Sequence, residues 1–191
     1  MTMTEAEVLD LFRKAGALLE GHFKLSSGLH SDRYLQSALV LQYPEFASQL
    51  GAALADRTRH LQPTAVLSPA LGGIVIGQEV GRALGIRALF AERADGKLTL
   101  RRGFSLDGSE RILVVEDVIT TGGSTRETVD VATAAGASVV GAASIIDRGN
   151  NDDTFGMPLY SLVKLQVQAF DPGACPQCAQ GVPVVKPGSR A

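Results

Sequence analysis

The chain has 191 residues, of which 45% are hydrophobic, and its 18 basic and 20 acidic side chains give a formal charge of −2. We expect one domain over residues 1–191, with a small hood formed by about residues 1–40 and 157–191. The balanced charge, without a Lys/Arg block, argues against nucleic acid as a partner. The first residues lack the layout of a secretory signal, and no apolar run reaches membrane-spanning length, so we expect a cytoplasmic protein that does not bind membranes.

Helical and extended segments alternate along the sequence. Thr4 and Glu7 have the spacing of a capping box, Pro44 suits a first helical turn, and Gly85 and Gly136 stand where glycine often ends a helix. The predicted helices cover residues 4–15, 44–59, 72–84 and 123–135, and the predicted extended segments cover residues 17–25, 65–68, 86–92, 112–116 and 138–147. Residues 93–108 form a polar loop with hairpin character. This alternation predicts an α/β fold, with a central, mostly parallel sheet flanked by helices.

The segment ILVVEDVITTGGS, residues 112–124, carries the strongest chemical signal. Its four leading aliphatic residues suit a buried parallel strand, so Glu116 and Asp117 are expected at that strand's carboxyl end, where open α/β sheets bind ligands. The hydroxyl and glycine residues that follow, Thr120, Thr121, Gly122, Gly123 and Ser124, suit a phosphate at a helix amino end. The acids are acceptors for sugar hydroxyls or a metal ion, although an acidic pair could also simply complement a helix dipole.

Two better-known phosphate motifs are absent. A Walker loop requires a lysine after its last glycine, and a dinucleotide fingerprint requires GxGxxG in the first βα unit. Neither pattern occurs here. The combination of carboxylates and a phosphate loop therefore predicts binding of a sugar phosphate.

The thirteen-residue segment resembles the phosphoribosyl diphosphate (PRPP) signature of the type I phosphoribosyltransferases. Three further stretches resemble the orotate-specific members of that family in order and spacing: GHFKLSSGLHSDRYLQ at residues 21–36, SPALGGIVIG at residues 68–77 and IIDR at residues 145–148. The resemblance implies the type I fold and transfer of a phosphoribosyl group from PRPP to orotate, in pyrimidine biosynthesis. It also implies Mg²⁺ as a cofactor, bound mainly by PRPP rather than by protein side chains, and a homodimer that exchanges lid loops between subunits.

The resemblance assigns PRPP to two turns. One holds Glu116, Asp117, Val118, Ile119, Thr120, Thr121, Gly122, Gly123 and Ser124, with Glu116 and Asp117 also catalytic. The other holds Leu71, Gly72 and Gly73 and is assigned to pyrophosphate; here the sequence departs from the family, which carries a Tyr-Lys pair in place of Leu71-Gly72. A glycine turn that permits tight strand-to-helix packing is the alternative for this second turn.

The resemblance assigns orotate to Arg148, Thr120, Tyr34 and Ser26. The forked donors of an arginine suit a carboxylate-bearing base, although a surface ion pair is the alternative for Arg148. Tyr34 could equally pack in the core. Ser26 stands where relatives carry a lysine, and Lys24, two positions earlier, is our proposed replacement for that cation.

The loop between Phe90 and Phe104 corresponds to the family's mobile lid, which meets the pyrophosphate of the neighbouring subunit. Arg93 and Lys97 are the predicted catalytic cations of this loop, with Arg101 and Arg102 nearby. The loop is shorter than in relatives and lacks their histidine. A solvated, charged hairpin is the alternative.

Two cysteines, Cys175 and Cys178, form a CPQC motif near the end of the chain. A structural turn with two buried thiols is favoured over a structural metal shared across a dimer, because a complete tetrahedral site needs four ligands and the sequence offers no second pair; a redox pair is less favoured still. The histidines at 22, 30 and 60 show no partner pattern, and the sequence assigns them no chemistry.

Two other functions compete with orotate transfer. A purine phosphoribosyltransferase would use the same fold with another base, but the GHF…SSG…HSD opening and Arg148 argue against it. A regulator that senses PRPP without catalysis would be expected to carry a nucleic-acid-binding domain or a basic face, and neither is evident.

Overall fold

The structure is a computed structural model that describes residues 3–25, 27–149 and 155–187. Its helices are α1 Glu5–Lys14, α2 Ser37–Leu41, α3 Pro44–Thr58, α4 Gly72–Leu84, α5 Gly123–Ala134 and α6 Pro176–Ala179. Its strands are β1 Leu18–Lys24, β2 His30–Leu35, β3 Ala65–Pro69, β4 Arg87–Ala94, β5 Lys97–Leu100, β6 Arg111–Ile119, β7 Ser138–Asp147, β8 Leu159–Lys164 and β9 Ala169–Phe170. Within these ranges, no helix is long and apolar enough to cross a membrane.

A six-stranded sheet forms the centre of the molecule, in the order β5-β4-β3-β6-β7-β8. The pairs among β4, β3, β6, β7 and β8 are parallel, and only β5 runs antiparallel, against β4. The predicted α/β fold with a mostly parallel sheet is therefore confirmed. Because β3 and β6 are neighbours, the turns that follow them lie side by side at one edge of the sheet.

Both faces of the sheet are buried. Successive side chains of a strand point to opposite faces, and in β6 Leu113 and Val115 belong to one core cluster while Ile112 and Val114 belong to the other. The first cluster includes apolar side chains of α1, α3 and α4, and the second includes Ala132 of α5. This two-sided burial explains why the strand reads as a continuous aliphatic run.

Local sequence signals for the helix ends are confirmed. The Thr4 amide donates to Glu7 Oε2 at 2.7 Å and the Glu7 amide donates to Thr4 Oγ1 at 3.3 Å, which completes the capping box. Gly85 ends α4 with φ +73°, a left-handed conformation that favours glycine. These caps fix where α1 begins and where α4 ends.

The hood is a separate three-stranded sheet in the order β1-β2-β9. The tail lies against β1 through a bridge between Phe23 and Val185, with the Lys24 amide donating to Val185 O at 2.8 Å. The expected hood boundary at residue 157 was wrong in one respect, because β8 pairs with β7 in the central sheet. The tail joins the hood sheet at β9.

Strands β6 and β2 also differ from the sequence prediction, whereas the predicted hairpin is confirmed. Strand β6 continues past the acidic pair to Ile119, because its pairing with β7 extends to Ile119 and Asp147. The hairpin character of residues 93–108 is real, since β5 pairs with β4 from Ala91 to Leu100. Strand β2 was not predicted, because its sequence HSDRYL has little apolar alternation.

Candidate active site at the carboxyl edge of the sheet

The loop between β6 and α5 has the geometry of an anion site. Gly122 precedes α5 with φ +73°, and no side chain caps the first amides of this twelve-residue helix. A Cβ at Gly122 would lie 2.5 Å from the Phe155 ring, so both the conformation and the space require glycine. The helix amino end can thus face a phosphate at close range.

The acidic pair lies in strand β6 rather than beyond it. Glu116 is only 6% exposed, and its carboxylate accepts from Ser124 Oγ at 3.0 Å and from the Asp117 amide at 3.2 Å. Burial, together with repulsion from Asp117, raises the pKa of Glu116 to about 8. Glu116 therefore retains its proton at neutral pH, whereas Asp117 is the more accessible carboxylate and accepts from the Val118 amide at 2.9 Å.

The predicted loop residues between the acidic pair and Gly122 lie either in strand β6 or in the turn after it. Val118 and Ile119 belong to the strand, and the buried Ile119 side chain packs in the protein. Thr120 and Thr121 follow the strand and line the cleft described below. Because the Ile119 side chain is buried, only its backbone is left to contact a ligand at this edge, whereas Val118 is half-buried.

The turn after β3 lies against the acidic pair. A Cβ at Gly72 would stand 2.7 Å from Asp117 Oδ1, and one at Gly73 would stand 2.9 Å from Val115 O. Leu71, joined to Ala70 by a cis peptide bond, is 84% exposed and points away from the packed turn. The backbone of this turn therefore approaches Asp117 closely, as tight packing requires, and the assignment of the turn to pyrophosphate stays a prediction.

A cleft of about 810 Å³ opens between the hood and this sheet edge. It brings together Tyr34 and Lys24 of the hood with Thr120, Thr121 and Arg148 of the central sheet. Predicted orotate residues from distant parts of the sequence thus share one cavity. Ser26 lies outside the described residues, but its neighbour Ser27 lines the cleft.

Arg148 is held at the cleft by its backbone. The Arg148 amide donates to Ile119 O at 2.8 Å, which sets the residue directly beside Thr120. Its Nε is buried without a hydrogen-bond partner among the described residues, and burial lowers the pKa of its guanidinium. A half-buried guanidinium with an unused donor is suited to bind an anionic ligand.

Lys186 is a cleft residue that the sequence did not reveal. It follows Val185, which pairs with β1, so the end of the tail brings a second lysine to the cleft beside Lys24. No sequence signal indicates this, because 162 positions separate the two lysines (186 − 24) and only the fold brings them to one wall.

The lid cations do not line this cleft in the single chain. Arg93 forms two hydrogen bonds of 2.9 Å to the Glu127 carboxylate of α5, and Arg102 pairs with Glu92 at 2.9 Å. Lys97 begins β5 and pairs with Ala94 across the hairpin. Their predicted contact with pyrophosphate stays a prediction.

The comparisons with known proteins agree with this geometry. No family model matches the chain. It is 51% identical over 189 residues to the orotate phosphoribosyltransferase of Chlorobaculum parvum, covering 99% of this chain and 98% of that protein. The chain belongs to the orotate phosphoribosyltransferase family. It is also 50% identical to the orotate phosphoribosyltransferase of Heliobacterium modesticaldum, over 98% of this chain and the whole of that one.

Solved structures extend the likeness to the fold. The crystal structure of Mycobacterium tuberculosis orotate phosphoribosyltransferase in complex with PRPP superposes with a TM-score of 0.70 at 25% identity, covering 84% of this chain and 96% of that chain. The family resemblance and the predicted type I fold are thereby confirmed. The individual site residues are not tested by these likenesses.

Proposed function

We propose that this chain transfers the 5-phosphoribosyl group from PRPP to orotate, giving orotidine 5′-monophosphate and pyrophosphate in de novo pyrimidine biosynthesis. One observation carries the proposal: a single cleft joins the phosphate loop to the residues predicted for orotate. The near full-length likeness to proteins named orotate phosphoribosyltransferase supports the same activity.

PRPP would lie along the sheet edge. The amides at the start of α5, that of Ser124 among them, and the hydroxyls of Thr120 and Thr121 suit its 5-phosphate. Asp117 would accept from the ribose hydroxyls, and protonated Glu116 can donate to a hydroxyl as well as accept from one. The turn at Leu71, Gly72 and Gly73 would present backbone amides to the pyrophosphate.

Orotate would occupy the hood side of the cleft. The Arg148 guanidinium would pair with its carboxylate or a ring carbonyl, Thr120 would offer a hydroxyl, and Tyr34 would lie near the ring. Lys24 and Lys186 add positive charge beside two anionic substrates. This arrangement supports selection of an acidic pyrimidine.

The reaction breaks the bond between ribose C1 and pyrophosphate and forms a bond from C1 to a ring nitrogen of orotate. Positive charge develops on the ribose, as in glycoside cleavage, while negative charge develops on the leaving group. The chain therefore needs fixed cations and amides rather than a covalent nucleophile. Asp117, close to the ribose, would stabilise the developing cation, and no strong base is needed because the ring nitrogen of orotate is acidic.

Mg²⁺ fits this site as a companion of PRPP. Burial raises the pKa of Glu116 to about 8 and leaves Asp117 as the more accessible carboxylate, so an ion would rely on substrate oxygens for most of its ligands. When bound, Mg²⁺ neutralises charge on the departing pyrophosphate. Asp117 is the side chain that would approach the ion.

A homodimer with exchanged lids is part of the proposal. Arg93 and Lys97 lie away from the cleft of their own chain, so they would act in a neighbouring subunit, after Arg93 leaves Glu127. Support comes from a groove of about 360 Å³ between α4 and β4, lined by Ile74, Val75, Phe90 and Phe104, which a second copy could cover. Light scattering in solution would give a dimer mass; a monomer at working concentration would contradict the proposed dimer.

The cytoplasmic location stays a prediction from the sequence.

An absorbance assay with PRPP and Mg²⁺ tests the function. Orotate consumption is the expected result, with adenine, hypoxanthine, xanthine and uracil inert in parallel reactions. Turnover of a purine but not of orotate would establish the purine alternative. Binding of PRPP without turnover of any base would favour the regulatory alternative.

A further inference from the structure

Four potential metal ligands meet in the hood, away from the catalytic cleft. His22 lies on β1 and His30 on β2, while Cys175 immediately precedes α6 and Cys178 lies within it. One ligand atom from each residue lies within 4.8 Å of all the others. This corrects the sequence interpretation, which found no second pair of ligands and expected two buried thiols: the two histidines supply the second pair from the same chain, His22 being 153 positions from Cys175, and Cys178 is exposed.

The contacts around His22 indicate a common centre. Its Nε2 lies 2.9 Å from His30 Nδ1, 3.4 Å from Cys175 Sγ and 3.7 Å from Cys178 Sγ. Its Nδ1 lies 2.8 Å from Val182 O, a carbonyl that can only accept, so Nδ1 carries the proton and Nε2 has one lone pair. This one lone pair cannot accept hydrogen bonds from His30, Cys175 and Cys178 at the same time. It can, however, point at one ion that these three residues also ligate.

Three N···S distances in the cluster are close to those of a tetrahedral zinc site. With Zn–N of about 2.05 Å and Zn–S of about 2.3 Å, a regular tetrahedron has N···S edges of about 3.6 Å and an N···N edge of about 3.3 Å. The observed N···S contacts of 3.4, 3.7 and 3.3 Å match these edges. The N···N contact of 2.9 Å between His22 and His30 is about 0.4 Å shorter than the N···N edge of a regular tetrahedron, so the two rings would move apart slightly to bind the ion.

The backbone prepares the four ligands. In the hairpin, the cross-strand pair of Lys24 and His30 brings His30 near His22 of the neighbouring strand. Cys175 is the residue before α6, so the CPQC spacing returns Cys178 to the same side one turn later. His22, His30 and Cys175 are all buried, and the Val182 carbonyl is the kind of outer partner that fixes the tautomer of a metal-bound histidine.

We propose that His22, His30, Cys175 and Cys178 form a structural Zn²⁺ site. Two thiolates and two imidazoles in a closed tetrahedron are the ligands that zinc prefers, and four protein ligands leave no open position for catalysis. The ion would tie the end of the chain to the β1-β2 hairpin. The proposal does not depend on the orotate activity.

The tie has a consequence for the cleft. The hairpin carries Lys24 and Tyr34, and the tail that leaves α6 carries Lys186, all of which line the cavity. Loss of the ion would loosen the wall that these residues form, while the phosphate loop belongs to the central sheet. We therefore expect metal loss to lower thermal stability and to raise the Michaelis constants more than it lowers kcat.

Metal analysis of the purified full chain, with any affinity tag removed, tests the site. The wild-type protein should contain about one Zn²⁺ per chain, and Cys178→Ser and His22→Ala should lose most of it. His60→Ala is the matched control, because His60 is exposed and contacts Tyr160 rather than the cluster, and it should keep the zinc. Equal zinc in all four proteins would overturn the proposal.

A cobalt experiment keeps the test decisive if the variants fail to fold. Wild-type protein stripped by a chelator should bind Co²⁺ with the intense visible absorption of a tetrahedral thiolate site, and Zn²⁺ should displace that signal and raise the melting temperature. Absence of such a spectrum, or a disulfide between Cys175 and Cys178 in freshly prepared protein, would contradict a zinc site. Neither result would contradict the proposed orotate activity, which the absorbance assay tests separately.

Discussion

Glu116 gives the most quantitative prediction, because its burial should make the stability of the protein depend on pH. Its side chain is 6% exposed and its pKa is about 8, against an ordinary value of 4.5. Between these two pH values the folded chain keeps a proton that the unfolded chain has released. The free energy of unfolding should therefore fall as pH rises from about 4.5 to about 8 and level off above that.

The magnitude follows from the pKa difference. At 1.36 kcal/mol for each pH unit, the full range from 4.5 to about 8 corresponds to an effect on the order of 5 kcal/mol. Between about pH 5.5 and pH 8 the expected loss is about 3 kcal/mol. Glu116→Gln removes this ionisable group. Relative to the variant, the wild type should therefore lose about 3 kcal/mol of unfolding free energy between about pH 5.5 and pH 8.

Urea unfolding of both proteins at several pH values measures this difference. Glu45→Gln, on the exposed first turn of α3, is the matched control and should run parallel to the wild type. Asp117→Asn offers a second check: because repulsion from Asp117 contributes to the raised pKa, this variant should show a smaller pH dependence. A Glu116→Gln curve parallel to the wild type from about pH 5.5 to 8 would refute the reasoning.

Three substitutions test the proposed substrate contacts. Asp117→Asn should fold normally and lower kcat by about 100-fold, since it removes the charge nearest the developing cation; unchanged kinetics would rule out the ribose role. Arg148→Ala should raise the Michaelis constant for orotate at least about tenfold and leave that for PRPP nearly unchanged, and equal effects on both would argue against base recognition. Gly72→Ala places a methyl group 2.7 Å from Asp117 Oδ1 and should weaken PRPP binding measured by calorimetry, whereas Gly173→Ala, with no atom within 4 Å, should not; matching affinities would contradict close approach at the turn.

Local signals in the sequence predicted much of the central sheet. Three such signals are the aliphatic run before Glu116, the capping box at Thr4 and the glycine at 85. Each acts within a few residues, so its structural effect can be predicted from the local sequence. Strand β7 begins and ends as predicted, at residues 138 and 147. The end of β6 was misplaced because backbone pairing with β7, rather than side-chain pattern, carries it to Ile119.

Features made by distant segments could not be predicted in the same way. The two-residue strand β9 exists only because β2 lies beside it, and Lys186 reaches the cleft only because Val185 pairs with β1. The histidines at 22 and 30 become candidate metal ligands only when α6 brings the two cysteines beside them. In each case the two contacting segments are far apart in the sequence, so their contact cannot be predicted without the position of the tail in the fold.

A crystal structure with PRPP and orotate bound tests the central claim most directly. The account predicts that PRPP lies along the carboxyl edge of the sheet, with its ribose hydroxyls at Asp117 and its 5-phosphate at the amino end of α5. Orotate should lie in the same cleft against Arg148. Clear density for both compounds at another surface, with this cleft holding only solvent, would contradict it.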